Sequence, residues 1–398
     1  MMLSYDEMST LLTRKLTEYC AKRITDSMPL HDAVGKTAAY DIHAEIPLPS
    51  VNTAAMDGYI FTSPLEEKKT YTVTSTIAAG DMLKTDYAND EVIRINTGAP
   101  VPDGYSFLIM QEQVRVWTDN QHTYLQVTTE GRQNHIRKAG EDVAQGSVLF
   151  SQGHQFRLND LPVIAAIGLS KIPVLKPLTI GVASCGNELL EPGQSKNVYQ
   201  AYDCNRAPLL AMIKALGHTP HDFGIIPDNQ QAIRSTLFEM AKTCDLILTS
   251  GGASVGDFDF FAKVLQDIGK ITEHKVAMKP GKPLLVGHIQ SRPYIGLPGN
   301  PVSSFVCFQT LVAPALRRAF GQAPEAPSCA KLTTPITKSH QRLEFARAIV
   351  NGDQVTPLPQ QESHRVGDLR LANGLIVIPP GPVNLNPGDE IRVLHLEY

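Results

Sequence analysis

The chain has 398 residues, of which 42% are hydrophobic and 19% charged, and its formal net charge is −4. This length exceeds that of one ordinary domain, so we expect two to four domains. The balanced charge gives no overall attraction to nucleic acid or to anionic membrane, and neither is predicted as a partner.

Cysteine usage and hydropathy bear on the compartment. The six cysteines include no Cys-x-x-Cys pair, and a chain of this size needs no disulfide framework, so we expect reduced thiols. No apolar run approaches the roughly 20 residues of a membrane-spanning helix. The sequence therefore predicts a soluble, cytoplasmic protein.

The first 172 residues combine helical segments with a β unit. Ser4 and Glu7 form a capping-box pattern before apolar residues that recur every three or four positions, which predicts an amphipathic helix. From about residue 46, short β-branched runs such as 70–77 alternate with Gly, Asp and Asn, which is typical of a small antiparallel sheet or barrel. We predict a helical linker domain of residues 1–45 and 140–172, with a β domain of residues 46–139 inserted into it.

Strands and helices alternate after Pro173. Apolar β-rich runs near 179–183, 222–226 and 245–249 are separated by helical patterns, one of which has Asp228 as its predicted cap. This rhythm predicts a doubly wound α/β domain over residues 173–323. Residues 324–398 alternate short strands with turns and predict a small β domain.

The stretch from Asp245 onward contains the strongest local signal. An apolar strand is followed by Ser250-Gly-Gly-Ala-Ser-Val-Gly256 and then by a helical pattern. Glycines at the carboxyl end of a parallel strand let backbone N–H groups converge, so this loop predicts a cradle for phosphate or another oxyanion. The loop lacks the G-x-G-x-x-G and Walker patterns, which disfavours an NAD or P-loop site.

Acids and lysines surround this loop in sequence. Asp257 and Asp259 have an ordinary interpretation as helix-start residues, but carboxylates beside a phosphate also indicate a bridging cation, for which Mg²⁺ is the usual choice. Lys275 and Lys279 precede a rigid Pro-Gly-Lys-Pro segment, and their ammonium groups are either solvated or directed at an oxyanion. No zinc-binding spacing and no serine nucleophile elbow occur.

Other motifs have both a turn interpretation and a functional one. They are Met56-Asp-Gly58, Asn96-Thr-Gly-Ala-Pro100, Gly140-Glu-Asp142, Ser184-Cys-Gly-Asn-Glu188 and Leu297-Pro-Gly-Asn-Pro301. Taken in order with the glycine loop and Met278-Lys-Pro-Gly-Lys-Pro283, they resemble the MoeA family of molybdopterin molybdenumtransferases, whose relatives include the carboxyl-terminal part of gephyrin. The resemblance spans nearly the whole chain.

The resemblance implies an elongated homodimer whose chain ends in a β-barrel-like domain. The implied reaction inserts molybdate into adenylylated molybdopterin and releases AMP with the help of Mg²⁺. Two alternatives remain open: a non-catalytic molybdopterin carrier or gephyrin-like scaffold, and a molybdopterin adenylyltransferase. The adenylyltransferase and molybdoenzyme maturation proteins are also expected partners.

The resemblance also implies roles for individual residues. Catalytic roles fall to Asp57, Thr97, Asp142, Asp228, Lys275, Lys279 and Arg347. Binding of molybdopterin falls to Ser250, Gly251, Gly252, Ser254, Gly256, Pro298, Asn300 and Pro301. Glu188 and Asp259 are the implied Mg²⁺ ligands. Asp57, Thr97 and Asp142 are expected to approach the α/β domain across the dimer interface. The chain departs from the family pattern at Cys185 and Asn187, where the family usually has Thr and Asp.

Overall fold

The structure, a computed structural model, describes residues 2–20, 25–66, 69–82, 92–128, 134–251 and 260–396. The α-helices in this part of the chain are α1 (Tyr5–Cys20), α2 (Leu161–Ala166), α3 (Arg206–Ala215), α4 (Gln230–Thr243), α5 (Phe260–Ile268), α6 (Pro301–Cys307) and α7 (Ala313–Ala319). A π-helical turn, Phe308–Val312, joins α6 to α7.

The strands are numbered in chain order. Those up to residue 150 are β1 (Met2–Leu3), β2 (Thr25–Pro29), β3 (Ile42–His43), β4 (Thr53–Ala54), β5 (Gly58–Phe61), β6 (Thr70–Ile77), β7 (Val92–Ile95), β8 (Phe107–Met110), β9 (Val114–Asp119), β10 (His122–Val127), β11 (Ile136–Arg137) and β12 (Val148–Phe150). The next are β13 (Lys171–Leu175), β14 (Thr179–Cys185), β15 (Leu189–Leu190), β16 (Ala201–Tyr202), β17 (Thr219–Ile226), β18 (Leu246–Ser250), β19 (Gly269–Val276), β20 (Met278–Lys279), β21 (Pro283–Ile289) and β22 (Arg292–Leu297). The last are β23 (Ser328–Leu332), β24 (Ile336–Lys338), β25 (Leu343–Asn351), β26 (Gln354–Pro357), β27 (Gly374–Ile378), β28 (Val383–Leu385) and β29 (Glu390–His395).

A seven-stranded mixed sheet, in the order β1-β19-β21-β22-β18-β14-β17, forms the centre of the molecule. One face is covered by α1, α3, α6 and α7, and the other by α4 and α5. Successive residues of β14 alternate between the two cores, Ile180 and Val182 facing one and Ala183 and Cys185 the other. The predicted doubly wound α/β domain is confirmed.

Helix α1 packs differently from the prediction that residues 1–45 join residues 140–172. The capping box is present, since Glu7 N donates to Ser4 Oγ at 3.2 Å and Ser4 N to Glu7 Oε2 at 2.7 Å. The buried stripe Met8, Leu12 and Leu16 lies in the core of the central sheet, and β1 extends the edge of that sheet. Burial of this stripe fixes the helix to the α/β unit, because each side chain contributes about 1.5–3 kcal/mol.

The remaining linker segments are less helical than predicted. Within residues 25–45 and 140–172, all of which are described, α2 is the only α-helix. The unit is held by β2 paired with β13 and β3 with β12, around a small core that includes Ile42, Phe156 and Ile164. Glycines with positive φ at 35, 140, 146 and 153 interrupt any longer helix. The domain boundaries stay a prediction.

The inserted β unit is a six-stranded sheet in the order β8-β5-β7-β6-β10-β9. The predicted run 70–77 is β6. One pair, β6 with β7, is parallel rather than antiparallel. The connection 78–91 is long enough for the crossover that a parallel pair needs.

The carboxyl-terminal unit closes on itself. Strands β25, β26, β23, β29 and β27 follow one another, and β25 pairs with β27 to complete a barrel. Its core includes Ala348, Val355, Ile376 and Val393. The predicted β-barrel-like domain is confirmed. No helix in the described part of the chain is long and apolar enough to cross a membrane.

A partly buried tyrosine compensates for the proline that follows the π turn. Pro314 has no N–H, so the carbonyl of Thr310 lacks its usual donor four residues on. Tyr5 donates its hydroxyl hydrogen to that carbonyl at 2.6 Å. Burial raises the pKa of Tyr5 to about 12, so the donor stays protonated. This bond ties α1 to the α6–α7 segment.

Replacing Tyr5 by Phe removes this donor and keeps the ring. Because the Thr310 carbonyl is then buried without its partner, we expect the free energy of unfolding to fall by about 1–3 kcal/mol. Urea unfolding followed by circular dichroism measures the change. The control Tyr40→Phe, at a residue that is 55% exposed, should stay within about 0.5 kcal/mol of the wild type. An unchanged midpoint for Tyr5→Phe would contradict the role of this bond.

Candidate functional site

A cavity of about 910 Å³ lies where the α/β unit meets the barrel. The α/β unit contributes the ends of its strands and the turn that opens α6, and the barrel contributes a loop after β26. The lining residues are Cys185, Glu188, Leu189, Asn205, Ser250, Gly251, Lys279, Pro280, Gly281, Lys282, Pro283, Pro298, Gly299, Asn300, Ser303, Arg342, Gln361, Glu362, Ser363 and His364. A second cavity, of about 630 Å³, is lined mostly by apolar groups of α1, α7 and the barrel.

The cavity sits at the carboxyl edge of parallel strands. Ser250, the last residue of β18, pairs with Ser184 of β14 and Leu297 of β22. In open α/β sheets this edge is where ligands bind. The sequence prediction that Ser250 begins a binding loop therefore agrees with the position of the cavity.

The first glycine of the loop, Gly251, lies very close to the backbone of β14. Gly251 has φ +88°, and a Cβ at this position would lie 2.7 Å from the carbonyl oxygen of Cys185. Only glycine fits there without a shift of the backbone. Gly252, Ser254, Gly256 and Asp259 lie outside the described residues, so their roles stay predictions.

The turn before α6 forms another wall. Pro298 and Asn300 line the cavity, and Pro301 starts α6 at its first turn. Asn300 Nδ2 donates to Ser363 Oγ at 3.2 Å, which joins this turn to the barrel loop. Asn205 joins the same turn to the end of β18, because its Nδ2 donates to Ser250 Oγ and to Gly299 O, each at 2.7 Å.

Three basic side chains reach the cavity: Lys279, Lys282 and Arg342. Lys279 Nζ lies 2.9 Å from Oε1 of the buried Glu344, so the carboxylate fixes the position of the ammonium group. Lys275 is exposed on β19 and is not one of the residues that line this cavity. Within one chain, therefore, the predicted lysine pair is separated.

Arg347 holds the barrel loop in place. It is 1% exposed, and its guanidinium donates to the carbonyl oxygens of Arg365 at 2.7 Å, Gln360 at 2.9 Å and Glu362 at 3.2 Å. Burial lowers its pKa. This arginine supports the loop that carries Glu362, Ser363 and His364 and does not itself line the cavity.

The acids near the cavity suit an oxygen-loving cation. Glu188 is exposed at the cavity wall. Asp228 and Asn187 lock their loops together, since Asn187 N donates to Asp228 Oδ2 at 3.1 Å and Asp228 N to Asn187 Oδ1 at 3.0 Å. The prediction that Asp228 caps α4 is wrong, because Asn229 caps it by accepting from Ala232 N at 2.7 Å. Asp228 is thereby available for another role.

No cluster of three His, Cys, Asp or Glu side chains able to hold a metal occurs among the residues that the structure describes. Mg²⁺ takes one or two protein carboxylates and completes its shell with water and phosphate oxygens. Glu188 at the cavity wall is a carboxylate of this kind, and a single such ligand is compatible with a substrate-bridging Mg²⁺.

Asp57 and Thr97 meet in the inserted β unit, away from this cavity. Asp57 Oδ1 accepts from Thr97 N at 2.6 Å and from Thr97 Oγ1 at 2.8 Å. These bonds, the backbone one first, lower the pKa of Asp57. Any stability they give is present above the unfolded-state pKa and lost as the pH falls through the folded one. Asp142 is exposed and lies in the loop between β11 and β12.

Sequence reasoning missed several residues of the cavity. Asn205 stands at the start of α3, where an asparagine is ordinarily explained as a helix cap. Arg342 and the segment 361–364 come from the terminal domain, whose sequence has no glycine-loop signal.

Three family models together match most of the chain: the MoeA N-terminal region (domain I and II) at residues 3–168, a probable molybdopterin binding domain at 181–318, and the MoeA C-terminal region (domain IV) at 329–396. The molybdopterin molybdenumtransferase of Haemophilus influenzae is 33% identical over 93% of each chain. Gephyrin of Dictyostelium discoideum is 27% identical over 93% of this chain and 59% of its own. Two structures of the molybdopterin biosynthesis MoeA protein of Pyrococcus horikoshii match this chain with 26% identity. One has a TM-score of 0.84 and covers 97% of this chain and 99% of its own. The other has a TM-score of 0.80 and covers 99% of both chains.

Thr97→Val tests the Asp57 pair. The variant keeps the backbone donor, which is the larger cause of the lowered pKa, and removes the hydroxyl donor. We therefore expect the pKa of Asp57 to rise part of the way towards that of an ordinary carboxyl group. NMR titration of the Asp57 carboxyl carbon measures the rise, and Thr97→Ser, which keeps a hydroxyl, should leave the pKa near its wild-type value. Equal pKa values in all three proteins would contradict the hydroxyl bond.

Proposed function

The chain belongs to the MoeA family of molybdopterin molybdenumtransferases, and on this premise we propose that it inserts molybdate into adenylylated molybdopterin and releases AMP. The observation that carries the proposal is the cavity at the junction of the α/β unit and the barrel. Ser250 and Gly251, with which the glycine loop begins, line this cavity together with three cationic side chains. This combination favours a ligand that carries phosphate, beside a second oxyanion.

The size of the cavity supports a pterin-sized substrate. Its volume of about 910 Å³ falls within the range of about 300–1,000 Å³ that is usual for small-molecule sites. We assign Ser250 and Gly251 to the pterin phosphate, together with Gly252, Ser254 and Gly256. Pro298 and Asn300, which line the cavity, and Pro301, which begins α6, are assigned to the same ligand.

We assign the binding of oxyanions to the basic side chains of the cavity. Lys279, fixed by Glu344, would bind molybdate or the nucleotide phosphate, and Lys282 and Arg342 line the same cavity. A preorganised ammonium group stabilises negative charge without reorganising when the reaction occurs. Lys275 stays a predicted contributor, and Arg347 serves as a positioning residue for the loop at Ser363.

Glu188 and Asp259 would hold Mg²⁺, and Asp228 would have a catalytic role. The bound ion would neutralise charge on the phosphate oxygens of the substrate. The chain's own contribution is to present carboxylates next to the glycine loop. Asn187, a neutral amide, keeps Asp228 in position without adding a further negative charge.

We further propose a homodimer in which the pair Asp57 and Thr97, and Asp142, complete the site of the partner subunit. These residues lie in a different unit from the cavity, and their exposure supports a role that needs a second chain. The protein would act in the cytoplasm, where molybdopterin adenylyltransferase would supply its substrate and molybdoenzyme maturation proteins would take its product.

The activity is tested by following AMP release from adenylylated molybdopterin in the presence of Mg²⁺ and molybdate. Wild-type protein should release AMP only when molybdate is present. Because Lys279→Met removes a preorganised cation, we expect it to lower the rate about 100-fold. Lys242→Met, at an exposed lysine of α4, is the matched control and should keep the wild-type rate. Binding of the substrate without AMP release would contradict the enzyme and favour the carrier or scaffold.

A further inference from the structure

The side chain of Asn205 spans the cavity wall instead of capping its helix. Asn205 occupies the N-cap position of α3, yet its side chain makes no capping bond. Asp203 takes that role, because its Oδ1 accepts from Asn205 N at 3.0 Å and from Arg206 N at 3.2 Å. The amide of Asn205 is thus left for Ser250 and Gly299.

The support beneath Asn205 is rigid. The neighbouring Arg206 is 7% exposed and forms ion pairs with Asp203 at 3.0 Å, with Asp222 at 2.8 Å and with Glu191. These contacts join the start of α3 to β17 and to the loop after β15. The position of the Asn205 amide is therefore set by the protein before any ligand binds.

The direction of the hydrogen bonds decides what Ser250 can do. An amide NH₂ has two hydrogens and no acceptor, so Ser250 Oγ accepts one and the Gly299 carbonyl accepts the other. The hydroxyl hydrogen of Ser250 then has Pro298 O at 3.4 Å, which is longer than an ordinary O–H···O bond. Since Ser250 is 1% exposed and lines the cavity, an anionic oxygen bound there is the better acceptor.

We propose that Asn205 is a positioning residue of the molybdopterin site, which turns the Ser250 hydroxyl into a donor to the pterin phosphate and sets the distance between the glycine loop and the turn before α6. This inference rests on the proposed function, since it needs a phosphate group at the cavity. It adds to that function a residue that hydrogen-bonds to Ser250 and to the turn before α6, and that acts on the ligand through Ser250.

A double-mutant cycle on molybdopterin binding tests the inference. Fluorescence titration of the pterin, under anaerobic conditions and with full-length protein, gives the dissociation constants of wild type, Ser250→Ala, Asn205→Ala and the double variant. A hydrogen bond to a charged group is lost in each case, so each single variant should bind about 10-fold to 100-fold more weakly. Because Asn205 acts through Ser250, removing both side chains costs little more binding than removing one. The dissociation constant of the double variant should therefore exceed that of the weaker-binding single variant by at most about twofold.

Asn205→Asp separates orientation of the hydroxyl from simple packing. The carboxylate keeps the shape of the side chain but only accepts, so Ser250 would donate to it and not to the ligand. It also places a negative charge beside the phosphate. We therefore expect Asn205→Asp to bind molybdopterin more weakly than Asn205→Ala. Tighter binding by Asn205→Asp than by Asn205→Ala would show that the side chain acts through its shape and would contradict the positioning role.

Asn373→Ala is the matched control for loss of an amide that joins two segments. Its side chain accepts from Val350 N at 2.6 Å and donates to Val350 O at 2.9 Å, outside the cavity. It should lower the thermal midpoint and leave binding at the wild-type value.

Two outcomes overturn the inference in distinguishable ways. If wild type and Ser250→Ala differ but Asn205→Ala binds like wild type, or if the two effects multiply, the positioning role fails and the proposed function stands. If wild-type protein does not bind molybdopterin, the proposed function fails and the donor role fails with it.

Discussion

The site depends on one excursion of the chain out of the central sheet and back. Strand β19 ends at Val276 in the central sheet, β20 joins the barrel sheet through the pairs Met278 with Leu343 and Lys279 with Glu344, and β21 returns to the central sheet. The return requires the turn at Gly281, where φ is +98° and a Cβ would lie 2.2 Å from Cys307 Sγ. This excursion fixes the barrel to the α/β unit and closes the cavity between them.

The same excursion explains the charge of the cavity. Lys275 precedes it and stays on the sheet, whereas Lys279 lies within it and faces the cavity, where Glu344 fixes its ammonium group. Lys282 and Arg342 come from the two sides of the junction. The positive charge of the cavity is thus a property of the junction between the units, and each unit alone supplies only part of it.

Local patterns predicted the elements well but not their partners. The strand Thr70–Ile77 and the capping box at Ser4 follow from spacing and backbone chemistry over a few residues, and the structure has them where predicted. The packing of α1 on the central sheet, the barrel loop held by Arg347 and the Asn205 amide depend on contacts between distant segments. Single-sequence patterns carry no information about such contacts. Asp228 and Asn229 show the limit, because either residue type caps a helix and only the geometry separates them.

We propose that a complete site combines the cavity of one subunit with Asp57, Thr97 and Asp142 of the other. The most direct test is the rate of AMP release by a heterodimer, purified with two affinity tags, of an Asp57→Asn chain and a Glu188→Gln chain. Each homodimer should be inactive. If the residues act across the interface, one of the two sites has all its wild-type groups and the heterodimer should recover about half of the wild-type rate. A heterodimer as inactive as the two homodimers would contradict the account.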